Sequence, residues 1–456
     1  MRKRLDLLKW EVRPLFFHYL FPSILSMLAV SAYIFFDTAF IGVGGGSLAL
    51  AALNISLPVY SLFTAIHETI GIGGGTTLSI EIGQGNFEQK NKVFSTAIML
   101  SLCIGFFITI VGIIFINQLS MFLGATKEIL PLVKSYLIVI ISISWAFLLV
   151  GVLSAFIRND KNPKLVMVAS LLSNAANLVL DYVFIFIFHW GIFGAALATA
   201  VAPIIDLCIL SVHFRRAEST IKFKFSSIDF TLVKRILRNG FGNFILDISA
   251  GVVIFILNNV FMKLGGEIYV AAYGVVANIA SLTLAIFSGV GQSIQPIISV
   301  NFGANKIKRV IEGVKYGIIT AMSIGLGIYI ILSLFPIPII SLFTTGDKEL
   351  ISITSKGIKI YFIAFTLTGA NMVFLYFLQS IEKTKSAIII SLSKGILFTV
   401  LGVSILTPIF GINGVWFTIS FSETLTFIIS LIVFIKVRKE LLGKEILNEE
   451  LLREEV

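Results

Sequence analysis

The chain has 456 residues, of which 57% are hydrophobic and only 13% charged, whereas a soluble domain carries about 25% charged residues to hydrate its surface. A water-soluble globule is therefore excluded. The formal net charge of +10 does not indicate a nucleic-acid partner, because the basic residues cluster in short segments between apolar runs, where they report topology.

Twelve apolar stretches follow one another at 15–41, 49–82, 93–117, 130–157, 165–187, 192–213, 240–262, 268–302, 311–335, 351–380, 386–408 and 413–435. Each can cross about 30 Å of hydrocarbon as a helix. A membrane barrel would instead alternate apolar and polar residues over segments of about ten, and no such alternation is visible. The first stretch is too long for a signal-peptide core and is expected to remain as a span. Arg2, Lys3, Arg4, Lys9 and Arg13 precede it, and later basic groups such as Arg158, Lys161, Arg215, Arg216, Lys306, Lys308, Arg309, Lys436 and Arg438 recur on the same side. Only Lys127, Lys134, Lys263, Lys348, Lys356 and Lys359 fall on the other, so both termini are expected in the cytoplasm of a cell-membrane protein. Cys103 and Cys208 both lie within predicted spans and form neither a disulfide framework nor a metal motif. They read as packing residues.

A shift of 220 residues superposes the chain on itself. It places Gly45-Gly46 on Gly265-Gly266, Ala51-Ala52 on Ala271-Ala272, Gly71 on Gly291, Gly83 on Gly303, Leu172-Ser173 on Leu392-Ser393 and Gly191-Ile192 on Gly411-Ile412. Six spans per copy is an even number, so the copies share one orientation. The expected fold is an all-α membrane protein with two six-helix lobes related by a pseudo-twofold axis along the membrane normal. The predicted division is an N-lobe at 1–213, a basic connector at 214–239, a C-lobe at 240–435 and a charged cytoplasmic tail at 436–456. The connector either touches anionic lipid headgroups or simply enforces topology.

Ionisable groups within spans are costly and are functional candidates by default. They are Asp37, Glu68, Asp181 and Asp206 in the first half, and Asp247, Lys394 and Glu423 in the second. Counting residues from the outer turns puts Asp37, Asp181 and Thr199 at comparable depths in the outer half of the bilayer. Asn174, Asn177 and Asp181 are spaced by three and four and share a helical face, as do Tyr33 and Asp37. Two carboxylates, two amides and hydroxyls at one level offer hard oxygen ligands for sodium, at Asp37, Asn177, Asp181 and Thr199, or a pair of acids that shares a proton. A polar network that only holds helices together is the bland alternative. The 220 shift pairs Lys394 with Asn174 and leaves Leu401 opposite Asp181, so the halves differ chemically. Lys394 could neutralise Asp247 or Glu423, as a structural ion pair or as part of a substrate cleft that also takes in Glu68. Pro22 removes a backbone hydrogen bond and should loosen the first span. The runs Gly44-Gly45-Gly46 and Gly73-Gly74-Gly75 mark an outer turn and close helix packing, since they lack the Lys and Ser/Thr of a phosphate loop.

The stretch FPSILSMLAVSAYIFFDTAFIG, the pair GGGTTLSIEIGQGN and GQSIQPIISVNFGANK, and SNAANLVLDYVFIF followed by GIFGAALATAVAP resemble the multidrug and toxic compound extrusion (MATE) family, nearest to its DinF and MepA-like bacterial branch. The resemblance covers nearly the whole chain. It implies export of hydrophobic, often cationic compounds against a proton or sodium gradient, with a cation site that matches Asp37, Asn177, Asp181 and Thr199 here, beside Tyr33 and the helix-bending Pro22. The acidic residues that another branch carries in its second lobe have no secure match. No enzymatic cofactor is expected, and neither is an enzyme: no His/Cys set has metal spacing and the outer loops are short. Small molecules and membrane lipids are the expected partners, and the protein is expected to act as a monomer. A lipid-linked saccharide flippase of the same superfamily is the alternative within transport.

Overall fold

The computed structural model describes residues 5–216, 219–225, 229–343 and 347–454, with side chains up to residue 443. Among the described residues there is no strand. Ten helices are long and apolar enough to cross a membrane, and Leu130–Ser142 with Ser144–Asn159, bent by 49°, makes an eleventh span. The 72-residue helix Val12–Gly83 accounts for two spans, because its backbone breaks at Gly46 (φ 71°, ψ −169°). In hydrocarbon every peptide group must find its partner within the segment, which leaves the helix as the only form these apolar runs can take.

Polar caps set where the helices start. The Asn86 side chain accepts from the Gln89 N–H at the head of the third span, Phe87–Ile114. Asn162 does the same for Leu165 at the head of the fifth, Pro163–Ile187, where Pro163 cannot donate and so loses nothing.

The duplication read from the sequence is written into the backbone. Gly46 and Gly266 share a left-handed φ (71° and 72°), as do Gly191 and Gly411 (55° and 57°) and Gly85 and Asn305 (75° and 56°), each pair 220 residues apart. Short helices follow the third and ninth spans at Ile116–Phe122 and Pro336–Ile340. Gly105 packs onto the Trp145 backbone and Gly325 onto that of Phe365, again in register. The register slips by one residue at the entry to the fifth and eleventh spans. There Lys161 and Glu382 hold the left-handed turn, and the bonds Asn162 N–H to Ile157 O (3.1 Å) and Lys383 N–H to Leu378 O (2.9 Å) close it. At that point the counterpart of Lys394 becomes Ser173, not Asn174, because the turn rather than the uniform shift fixes where each helix starts.

The chain forms two compact units, Phe21–Gly240 and Met1–Leu20 with Phe241–Val456. Each contains six spans and also the segment that leads into the first span of the other half. In the first unit, Arg235 donates to Glu81 at 2.6 Å, Gly73 packs onto the Ile236 carbonyl and Gly240 onto that of Thr69. Asp160 is 3% exposed. It accepts from His213 Nε2 (2.8 Å), from the Thr220 N–H (2.9 Å) and from the Thr220 hydroxyl, which fastens the connector to the end of the fourth span. In the second unit, the Asn301 amide and the Arg309 guanidinium both donate to Leu7 O at 3.1 Å, and Arg309 also donates to Trp10 O. Glu81 and Asn301 are 220 residues apart and each bonds an incoming segment, Glu81 by accepting from a side chain and Asn301 by donating to a backbone carbonyl. Residues 1–20 thus group with 241–456, and the connector at 214–239 groups with the unit that precedes it.

Cys103 and Cys208 are free, exposed thiols, not packing residues. The uniform apolarity of these spans hid which face they occupy.

Candidate functional site: an acid pair in the first unit

The fifth span carries the site. Asn177 and Asp181, one turn apart, are both fully buried. In the amide orientation its neighbours require, Asn177 donates to Asp181 Oδ2 (3.1 Å) and accepts from the Thr199 N–H (3.1 Å) on the sixth span, Gly191–Ser211. Immediately after Asp181 the helix widens into a π turn, Val183–Ile187. Such bulges recur at functional sites because they displace side chains from the regular helical row. Asp37, 6% exposed on the first span, brings its carboxyl within hydrogen-bonding reach of Asp181.

Around the pair stands a collar of hydroxyl groups. Tyr33, one turn before Asp37, shares a 2.9 Å hydrogen bond with Tyr60 of the second span. Tyr136 of the fourth span has Asp37, Asp181 and Thr199 among its electrostatic neighbours. Among the described residues, Asp37 Oδ1 and Asp181 Oδ1 are buried with no hydrogen-bond donor, and Thr199 Oγ1 is buried with only the Tyr136 hydroxyl beside it. Buried oxygens normally find a donor. Two that do not, on adjoining carboxyls, are a donor set for a positive charge: two neighbouring carboxylates out of water repel each other unless a proton or a metal cation lies between them.

The other candidate residues fall elsewhere. Asn174 is half-buried and donates to Ser170 Oγ (3.3 Å), while Ser170 donates to Ser26 O (3.3 Å), so this tie between the first and fifth spans lies about two turns before Asp181. Pro22 belongs to the same tie, since its carbonyl accepts the Ser26 hydroxyl at 2.9 Å. Asp206 accepts from Ser173 (3.4 Å). Glu68 is half-buried on the second span next to His67, whose ring packs against Gly151. Lys394 pairs with Glu423 at 3.3 Å, and Asp247 lines the same cavity of the second unit. Sequence reasoning missed Tyr60, Tyr136 and Asn371. The Asn371 side chain donates to Glu423 Oε2 at 2.7 Å, and an amide in the middle of the tenth span was the available signal.

Twelve apolar helices in two repeated units, with a buried acid pair inside one of them, define a polytopic membrane protein of the transporter class. The MatE family model matches residues 22–183 and 250–404, and the chain belongs to that family, the MATE family its motifs resemble. It is 26% identical over 427 residues to the multidrug export protein MepA of Staphylococcus haemolyticus, covering 93% of each chain. It is 27% identical over 444 residues to MepA of Staphylococcus aureus strain MSSA476, covering 95% of this chain and 96% of that one. Among solved structures it resembles an outward-facing multidrug resistance MATE family transporter (TM-score 0.91, 22% identity, 97% of this chain and 99% of that one). A MOP superfamily transporter from Pyrococcus furiosus is similarly close (TM-score 0.90, 23% identity, 97% and 99%). At these identities the solved structures speak for the twelve-helix, two-lobe fold.

Proposed function

We propose that the chain is a secondary active exporter that moves small hydrophobic, often cationic molecules out of the cell in exchange for protons or sodium ions, with both termini in the cytoplasm. The observation that carries this reading is the buried juxtaposition of Asp37 and Asp181, with an oxygen of each carboxyl left without a donor. The names of the MepA relatives agree with multidrug export.

The coupling follows from linkage: an ion shifts a conformational equilibrium only by its difference in affinity between the two states. Asp37 sits on the span that Pro22 weakens, and Asp181 on a fifth span capped at Asn162 and tied to the sixth by the bond from the Thr199 N–H to Asn177. A positive charge between them removes their repulsion and draws the first span toward the fifth. Loss of that charge lets the first span relax. Cargo binding is favoured in one of these packings and disfavoured in the other, so ion and cargo alternate.

Dye efflux from proteoliposomes, with pH and sodium gradients imposed separately, tests this. One gradient is expected to drive efflux and the other to be silent. Asp37→Asn and Asp181→Asn should each abolish the driven component while the protein still inserts. Driven efflux at the wild-type rate in both variants would remove the pair from the mechanism.

A further inference from the structure

Residues 219–225 of the connector form no helix, yet they are held against the first unit. Asp160 fixes Thr220 at one end. Beyond it the Lys222 N–H donates to Asn91 Oδ1 and the Lys224 N–H to Ser95 Oγ, each at 2.9 Å. Asn91 and Ser95 are one turn apart on the third span, and one helical turn matches the rise of two extended residues, both about 6 Å. The segment 221–225 therefore lies extended along that helix, with neighbouring side chains on opposite sides.

Ile221 is 2% exposed and packs into the core with Val93, Leu232 and Ile236. Phe223 and Phe225 continue its row and are 49% and 87% exposed, so the row leaves the core and ends on an uncovered ring. Lys222 and Lys224 are exposed on the other side, and Arg215 and Arg216 add two exposed bases earlier in the connector. Lys92 of the third span is engaged by Glu88 at 3.1 Å. Depth decides what these groups meet. Ser95 is the third residue of the apolar stretch that begins at 93, so Lys224 and Phe225 stand at the level where hydrocarbon gives way to headgroups. Aromatic rings enter that boundary, and lysines there reach back to the headgroups on their four-carbon stems. Free phosphate would satisfy the lysines and leave the rings in water. A neutral lipid would do the reverse.

We propose that 221–225 is a membrane strap that binds anionic phospholipid, with phosphates on the side of Lys222 and Lys224 and acyl chains on the side of Phe223 and Phe225. The strap is independent of the ion exchange proposed above.

The full chain with the photoreactive p-benzoylphenylalanine in place of Phe225, reconstituted in nanodiscs of equal phosphatidylcholine and phosphatidylglycerol, tests the proposal. After illumination, the mass of the protein identifies each lipid adduct. Phosphatidylglycerol adducts should outnumber phosphatidylcholine adducts about fivefold, the worth of one base near a membrane surface. With the same probe in place of Phe107, exposed within the third span, the two lipids should react equally. Lys222→Gln together with Lys224→Gln should bring the ratio at 225 to one and leave adduct yield at 107 unchanged. Inorganic phosphate in place of chloride, at equal ionic strength, should change neither ratio. Equal reaction of the two lipids at 225 with both lysines present, no lipid adduct there, or an excess that survives loss of both lysines overturns the proposal. An excess that inorganic phosphate abolishes also overturns it, in favour of a site for the free anion.

Discussion

Asp181 has few options. It is fully buried, it takes one hydrogen bond from Asn177, and its other oxygen lies beside Asp37 without a donor. Asn177 serves both Asp181 and the Thr199 backbone, and Asn177→Ala should cost about 1–3 kcal/mol by orphaning a buried group. The measurable consequence is a lower thermal midpoint in detergent together with weaker ion dependence of efflux; a variant that loses neither would show the amide to be idle. Asp160 makes a contrasting case. Its bonds to His213 and Thr220 are structural, so Asp160→Ala should lower the thermal midpoint by several degrees, on the order of 2–3 kcal/mol. The ion that drives efflux should not change, and a switch of driving ion in that variant would contradict a purely structural role. The acid pair was legible in the sequence because spacing by three and four and distance from an outer turn are both geometric quantities. Lys394 was less so. It was free to reach either Asp247 or Glu423, and only the start of the eleventh span, one residue out of register with the fifth, and its π turn decide its direction.

At the level of helices, glycine does two kinds of work that a composition count merges. Gly46 and Gly266 supply a backbone angle, with open space where a Cβ would stand, whereas Gly105 supplies proximity, since a Cβ there would fall on the Trp145 backbone. Gly46→Ala should therefore cost about 1–2 kcal/mol of conformational strain. Gly105→Ala must push two spans apart, at about 1–3 kcal/mol with lost packing around it. Crosslinking of cysteine pairs placed across the third and fourth spans separates the two effects. Its yield should fall in the Gly105 variant and hold in the Gly46 variant, and an equal fall in both would erase the distinction. The breaks themselves were readable from the Gly-Gly pairs. The bend of 49° in the fourth span was not, because no proline or glycine marks Ile143, where it occurs.

Across the whole molecule, the twelve spans and their duplication were plain in the sequence because hydrocarbon permits one backbone solution. The exchange of leading segments was not, since nothing in an apolar pattern says which unit a segment between spans will join. The contacts of Arg309 and Asn301 with Leu7, and of Arg235 with Glu81, make each half incomplete by itself. Residues 241–456 expressed alone should be degraded or aggregate, and coexpression with 1–240 should restore a stable protein. Stable accumulation of the separate halves would contradict that dependence.

The proposed exchange requires one proton or one sodium ion to be held between Asp37 and Asp181 in turn with cargo. Ion release from the purified protein on addition of a transported dye, followed by a pH indicator and by radioactive sodium, measures it directly. One ion should leave per chain in the wild type and none in Asp37→Asn or Asp181→Asn. Undiminished release from either variant, or dye binding with no ion released by the wild type, would place the exchange somewhere else in the protein.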